Sequence, residues 1–589
     1  MKISLMIFIV AILITLYIAF QKKREFKNRI VILIFGIAVS IGVLIFPLLN
    51  SENIIVRILD AVYYAIRSIW MNQDTELLGA LDLTNLLETS YFVILYILFI
   101  LLPILTTGAI LAFISDALAK RKFRKVRNKD LYIFSELNEK SKAFARKLGK
   151  NRNSAIVFAN SKNKETEIKS VRIEEKITGI EIKNRNTNIE FYAISENEED
   201  NINDTLELIE KYKDRENTKI YVINNTIEAP AILDSVDKGK LTVEVINETE
   251  REIFNLLDEK PLFENAIDNT ISVLIIGCGK VGKEFLKNAT WCSIMPGFRY
   301  KATVVDVNAS LVKENIQSEA PEFLENYDIR FINGDIKTEK VMNEIKKMQD
   351  VNYILVSMES DEKNLETAIL LRRMFLQLYH TKPVINLWVE NEFKQAQILN
   401  LVNERGISYE LNSFGSIKDM YFDNSILGSR IEGLAKQIHL AYSPDDKAFA
   451  GYNKREYFKK SSRASALHMK YKIYAILKDK FTDDMKQNQE LFKTMYNKEI
   501  EEILAENEHE RWNAYTRSIG YKKATVPEVI AYYPETKRHE NSLARLHPAL
   551  VPWNELDEVS EGLKEIIPNI DLKASDYDIV RKMCDEIKL

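Results

Sequence analysis

Cysteine is scarce: the 589 residues hold three, Cys278, Cys292 and Cys584. With no even-numbered framework and no metal-ligand spacing, they exclude a disulfide scaffold and suit a reducing compartment. A charge excess is also lacking. Against 85 acidic residues stand 81 basic ones, for a net charge of −4, so there is no global footprint for a nucleic-acid partner. Histidine numbers six, and His468, His509, His539 and His547 all fall in the last third of the chain. No H-x-x-x-H or C-x-x-C spacing joins them, so no metal site is expected. No Ser-x-x-x-Lys, Tyr-x-x-x-Lys or His/Asp pairing stands at a strand end, so no catalytic residue is assigned and an enzyme is not the expectation.

What is present begins with length. A chain of 589 residues exceeds the roughly 250 to 300 residues at which single cores stop growing, so several domains are expected. The average of 28% charged and 46% hydrophobic residues blends an almost uncharged start with a charge-rich remainder. Residues 3–20 and 30–49 carry no charge, and a third apolar stretch occupies about 91–117. Each is long enough to cross a hydrocarbon core of about 30 Å. Pro103 and Gly108 in the third are tolerable where neighbouring helices rescue freed backbone groups. The first run lacks a small-residue cleavage site and leads into QKKREFKNR, so it reads as a span rather than a signal peptide.

Lys22, Lys23, Arg24, Lys27 and Arg29 separate the first two runs, and KRKFRKVRNK (Lys120 to Lys129) follows the third. The positive-inside rule then places both flanks in the cytoplasm. The expectation is a multi-pass protein of the inner (plasma) membrane, N-terminus outside, with a large cytoplasmic C-terminal region and the lipid bilayer as partner. The outer loop carries Glu52, Asp60, Asp74, Glu76, Asp82 and Glu88 against Arg57 and Arg67, an acidic surface that attracts cations. Within it, Ile54 to Met71 reads as an amphipathic helix, re-entrant or interfacial. Span, short apolar helix, span and cytosolic domains together resemble two-transmembrane ligand-gated potassium channels. The carbonyl-lined TVGYG-type filter is absent, for NQDTELLGALDL stands at Asn72 to Leu83. Potassium selectivity is unsupported, and the candidate pore residues are Asn72, Gln73, Glu76, Thr106, Thr107 and Gly108. The alternative is an anchor that conducts nothing.

After Lys129, apolar strands alternate with charged helical stretches, the pattern of parallel βαβ units. Two such domains are expected, 129–265 and 266–450. In the second, SVLIIGCGKVGKEFLKNA places Gly277, Gly279 and Gly282 in G-x-G-x-x-G register between strand and helix, with Lys280 and Val281 opening the helix. The glycines serve a tight turn, close approach to a diphosphate and close helix packing, with the anion at the helix N-terminus. The next strand ends in Asp306, farther along than the usual spacing of about 20 residues because TWCSIMPGFRY intervenes. That carboxylate suits a ribose 2′-hydroxyl, favouring NAD or an adenine nucleotide over a 2′-phosphorylated one.

With INGDIKTEKVM and YILVSMESDEKNLETAILLR downstream, the domain resembles the RCK or TrkA-N family that regulates potassium uptake and conductance. The resemblance implies that Asp335 and Ser357 join the glycines and Asp306 at the nucleotide, and that NAD, adenine nucleotides or ions are the ligands. The earlier domain turns after its first strand through SELNEKS, without glycine, and is read as structural. Tandem copies resemble channel gating rings, which implies a homo-oligomer, with a tetramer favoured.

The strand pattern stops near Lys454. Glu508-His509-x-Arg511-Trp512, Gly520-Tyr521 and His547-Pro548-x-Leu550-Val551-Pro552-Trp553 resemble the RyR domain, over 451–560, followed by a helical tail, 561–589. The family's Gly-x-x-Tyr-Gly is replaced by Gly520-Tyr521-Lys522-Lys523. Arg463, His509, Arg511, Trp512 and Tyr521 could form an aromatic and basic cleft, since bases stack on aromatics and phosphates pair with arginine. His509, Trp512 and Trp553 could equally be a small domain's core.

The expected architecture is an N-terminal α-helical transmembrane segment (1–128), two tandem α/β Rossmann-like domains and a mainly α RyR-like domain. The expected function is a ligand-gated ion channel or membrane effector opened by a nucleotide, in antiviral defence or ion homeostasis. The alternatives are a non-conducting membrane-anchored sensor or scaffold and a membrane-tethered NAD-dependent enzyme.

Overall fold

The charge-free runs fold into helices, the form that satisfies every backbone group within the segment. Lys2–Ala19, Arg29–Leu48 and Leu86–Leu111 are each long and apolar enough to cross a membrane. The computed structural model describes the chain outside residues 21–25, 71–77, 80, 82, 149–152, 162–165, 183, 227, 403–404, 422–429, 444, 447–448 and 586–589. Lys22, Lys23 and Arg24, and with them Asn72, Gln73, Asp74, Glu76 and Asp82, lie outside the described residues. Two compact units result, Met1–Val126 and Arg127–Leu589.

In the first unit, helix Leu86–Val126 continues past the expected end near 117 and into the basic stretch, where Ala, Leu, Lys and Arg favour helix. Asn53 caps helix Ile54–Ile69 by accepting from Ile55 N at 2.9 Å. Small residues let the helices approach. A Cβ on Gly36 would lie 2.2 Å from Thr15, and one on Gly42 would lie 3.3 Å from the Ala61 carbonyl. Thr107 and Gly108 are exposed. Thr106 departs from the expected pore role: it is buried, and its hydroxyl donates to Pro103 O at 3.0 Å and Ile69 O at 3.2 Å. Helix packing has already taken that hydroxyl.

The second unit opens with β1 (Asp130–Phe134), β2 (Ser154–Phe158), β3 (Val171–Arg172), β4 (Ile189–Ala193), β5 (Thr218–Ile223) and β6 (Thr242–Ile246). They form a parallel sheet in the order β3-β2-β1-β4-β5-β6. A second parallel sheet holds β7 (Thr270–Ile276), β8 (Arg299–Asp306), β9 (Ile329–Asn333), β10 (Tyr353–Val356), β11 (Val384–Trp388) and β12 (Leu411–Phe414), in the order β12-β11-β10-β7-β8-β9. Both follow the doubly wound 3-2-1-4-5-6 scheme. Every residue of β7 is buried, which is why its end, Val273 to Ile276, reads as an unbroken apolar run.

Helices then cover one face of the second sheet. Phe285 and Trp291 of helix Lys280–Cys292 share a core with Leu434, Leu467, Tyr515 and Val580. Helix Arg430–Tyr442 precedes the expected border at 450 yet packs on helix Glu456–Leu477, and helix Ala574–Asp585, expected as part of a tail, packs on both Lys498–Ser518 and Arg430–Tyr442. Only the fold brings these apolar faces together.

Candidate functional site

The glycine loop is built from the end of β7. Gly277 takes φ +83°, which side chains resist, and a Cβ there would lie 2.7 Å from Ser357 O. A Cβ on Gly282 would lie 2.2 Å from Gly277 O, so the helix seats directly on the turn. Gly279 is the N-cap of helix Lys280–Cys292, offers no side-chain cap, and faces open space where a Cβ would point. The first helical N–H groups and the positive end of the helix dipole are therefore presented to an anion.

Asp306 reaches this loop from the end of β8. Its Oδ2 accepts from Cys278 N and its Oδ1 from Asn308 N, both at 2.7 Å. Each carboxylate oxygen keeps a further lone pair for a ribose hydroxyl. Lys280 is exposed at the start of the helix, beside half-buried Val281. Asp335 is exposed after β9, with its Oδ1 accepting from Lys337 N at 2.8 Å. Ser357 departs from its expected ligand role: it is buried, and its hydroxyl donates to Gly277 O at 2.9 Å. It braces the loop from beneath. Burial pushes the Cys278 thiol up to about 12, so it stays protonated and inert.

In the first sheet the equivalent turn is occupied by the chain itself. Lys140 pairs with Glu248 at 2.8 Å, Asn225 donates to Glu248 at 3.2 Å, and the Tyr421 hydroxyl also donates to that carboxylate. Tyr421 packs on Phe144 with ring centroids 5.0 Å apart. Burial pushes the Glu248 carboxyl up, but Lys140, Tyr421 and Asn225 outweigh it and hold it below the ordinary value.

The helical region holds a cavity of about 590 Å³ whose wall includes His509, Arg511, Trp512 and Tyr521. Four of the five residues expected there thus come together. Arg463 does not: it is buried and bonded to Glu432 at 2.6 Å and Glu244 at 2.8 Å, a clasp completed by Arg251. Arg455, Tyr457, Arg538 and Asp576 also line the cavity, and no local pattern marks them. Their sequence positions are scattered, and only the fold gathers them.

In the cavity wall, buried Glu508 receives Arg511 at 2.8 and 3.1 Å, Ser465 at 2.9 Å and Lys472. Burial pushes its carboxyl up, yet Arg511 and Lys472 prevail and keep it well below the ordinary value. Arg511 Nη1 has no hydrogen-bond partner. His509 bonds Val551 O at 2.8 Å and stands 3.4 Å from Asp576. Trp512 is half-buried against His547, centroids 4.7 Å apart, while Trp553 is buried among Ala505, Ala549, Val551 and Leu556. Of the two readings of these tryptophans, Trp553 takes the core and Trp512 the cavity wall. Burial, with His539 and His509 adding to it, lowers His547 well below the ordinary histidine range.

A further cavity, of about 940 Å³, lies against Gly279, Lys280 and Lys283 on one side and Tyr515 and Arg545 on the other. Among the described residues no group of three or more His, Cys, Asp or Glu side chains could hold a metal ion.

No curated protein matches the chain. Residues 273–397, which carry the glycine loop, Asp306, Asp335 and Ser357, match the TrkA-N domain, a nucleotide-binding regulatory domain typical of ion-transport regulation whose usual ligand is NAD(H).

Proposed function

We propose that the chain is a nucleotide-gated membrane effector, and that its effector activity is ion conduction. The observation that carries this is the uncapped helix start at Gly279, bracketed by Asp306, in a chain that also has three apolar helices suited to crossing a membrane. An anionic diphosphate complements the helix N-terminus, and the Asp306 carboxylate complements an unphosphorylated ribose. NAD or an adenine nucleotide fits both. Only Arg127–Lys129 separate the last apolar helix from β1, so a change of state in the cytoplasmic domains has a short covalent route to that helix. Gating requires only that the ligand bind one of the two states better.

A homo-oligomer, a tetramer by the gating-ring resemblance, would surround a pore lined by the acidic outer loop. Multi-pass insertion in the plasma membrane and a role in ion homeostasis or antiviral defence belong to the same proposal. The RyR resemblance of 451–560 adds a second nucleotide-sized cavity to the sensing region. No catalytic residue is assigned.

Single-channel recording of the full chain in planar bilayers tests this, with NAD+, NADH, ATP and AMP added on the side of the cytoplasmic domains. One of these nucleotides is expected to raise open probability, and Asp306→Ala to weaken that response by about 10-fold or more, the loss of one hydrogen bond to a charged group. Nucleotide binding without current would leave a membrane-anchored sensor.

A further inference from the structure

The last apolar helix continues beyond its apolar surface. Ile110, Leu111, Ile114 and Leu118 are between 46% and 63% exposed, so side chains suited to acyl chains run to Leu118, with Asp116 the one acid among them. Cations begin within a turn of Leu118, and the helix carries them without a break to Val126. From Ala117 to Lys129 the chain holds seven Lys or Arg residues and no acid. At about 1.5 Å per residue, Arg121 to Lys125 stand about 4.5 to 10.5 Å beyond Leu118. The headgroup layer outside the hydrocarbon core is about 5 to 7 Å deep on each side, and lysine and arginine stems reach back along apolar surface from their charged tips. In a spanning helix these charges lie at headgroup level.

Their arrangement is one-sided. At 3.6 residues per turn, Arg121, Lys122, Arg124 and Lys125 fall within an arc of about 160°, opposite Ala119, Phe123 and Val126. The four cations are exposed and the three apolar residues half-buried. Among the described residues no carboxylate pairs with any of the four, whereas just downstream Lys140 pairs with Glu248 and Lys142 with Glu139. The helix dipole favours Arg124 and Lys125 in the last turn, but it fades within that turn and leaves Arg121 and Lys122 uncompensated. The positive-inside rule orients the chain by charge number; it does not require the charges to share a face or to stay unpaired. The 26 residues of Leu86–Leu111 also measure about 39 Å, more than the ~30 Å of hydrocarbon. Tilt takes up such an excess and lowers one side of the helix toward the bilayer surface.

We infer that the basic side of this helix, from Arg121 to Lys125, is a binding site for anionic phospholipid headgroups. Anionic lipids of the cytoplasmic leaflet supply the charge. Their phosphate oxygens accept from the guanidinium and ammonium groups while their acyl chains lie along Ile114 and Leu118. A lipid meets both surfaces at once; a free phosphate meets only the cations. Only Arg127–Lys129 separate this helix from β1, so the bound lipid moors the helix end that leads to the cytoplasmic domains. The site rests on the membrane insertion and cytoplasmic flank of the proposed function, and not on its nucleotide or its current.

Native mass spectrometry of the full chain in detergent micelles tests the inference, by titration with dioctanoyl phosphatidylglycerol, dioctanoyl phosphatidylcholine and glycerol 3-phosphate. Phosphatidylglycerol is expected to bind about 10-fold or more tightly than phosphatidylcholine, and glycerol 3-phosphate not to displace it. Losing one cation, as in Lys122→Gln, should weaken phosphatidylglycerol by about 5-fold. Replacing Arg121, Lys122, Arg124 and Lys125 together by Gln should erase the preference. Exchanging each of the four arginines and lysines for the other cation should retain it, a rescue that a packing role would not give. Equal binding of the two lipids, displacement by glycerol 3-phosphate, an intact preference in the four-Gln variant or a lost one in the charge-preserving variant would each overturn the site. Failure of the membrane reading looks different: the wild-type chain would leave host membranes in an alkaline carbonate wash without detergent, and the site would go with it.

Discussion

The two parallel sheets share one strand order and differ at one turn. After β7 the chain turns through glycines and leaves the helix start at Gly279 open; after β1 it turns through Ser135 to Asn138, and Tyr421, Glu248 and Lys140 close the space. The same topology places both turns at a carboxyl edge, where α/β sheets bind ligands. Topology therefore supplies a location, and the side chains at the turn determine whether it stays open to an anion. Installing a buried carboxylate at that place in the first sheet, with its own lysine, replaces the charge preference of a phosphate site with its opposite. The glycine-less copy is thus satisfied internally and free to serve packing.

The largest expected effect is on the open turn. Gly282→Val would drive a side chain into Gly277 O, where even a Cβ has only 2.2 Å. Destabilisation of ~3 kcal/mol is expected, with nucleotide binding at the Asp306 cleft abolished, as read by thermal melting and calorimetric titration. Intact nucleotide affinity in this variant would remove the distinction between the two sheets.

A smaller effect belongs to the closed turn. Glu248→Gln should cost ~1.5 kcal/mol, the low end for hydrogen bonds to a charged group, because Lys140 remains 32% exposed. Nucleotide affinity should not change. The pH dependence has a definite sign. Because the Glu248 carboxyl sits below its ordinary 4.5 in the folded protein, its contribution is complete above that value and is lost as pH falls through the lower folded value. The melting-temperature gap between wild type and Glu248→Gln should thus stay constant from neutrality down to about 4.5 and close only in stronger acid. A gap that closes near pH 6 would show that the clasp does not hold the carboxylate ionised.

The smallest effect comes from restoring a glycine. Ser135 Oγ accepts from Ile194 N at 2.9 Å, so Ser135→Gly should cost ~1 kcal/mol for one hydrogen bond. It should create no nucleotide site, because Tyr421 and Glu248 still occupy the turn. Nucleotide binding gained by this variant, measured in an Asp306→Ala background, would mean that glycine alone separates the two copies.

Much of the contrast was legible in the residues. Gly277, Gly279 and Gly282 announce their turn because the geometry they permit is local, and SELNEKS announces its absence. Tyr421 and Glu248 carried no such signal. They lie 173 positions apart, and neither residue type points to the other. Arg463 illustrates the opposite error: its place beside the RyR-like motif suggested a ligand role, yet Glu244 and Glu432, from elements distant in sequence, neutralise it. Ser357 directly follows β10, and its hydroxyl faces the underside of the loop. Thr106 read as a polar lining residue and is tied to Pro103 and Ile69.

Sequence by itself determined the apolar helices, both parallel sheets and the glycine turn, because these depend on periodicity, apolar content and local backbone freedom. The tertiary structure decided which turn stays open, that Glu244 and Glu432 neutralise Arg463, and that Tyr457 and Tyr521 line two cavities. Those outcomes depend on burial and charge pairing among residues far apart along the chain. Coulomb and desolvation energies act through space rather than along sequence.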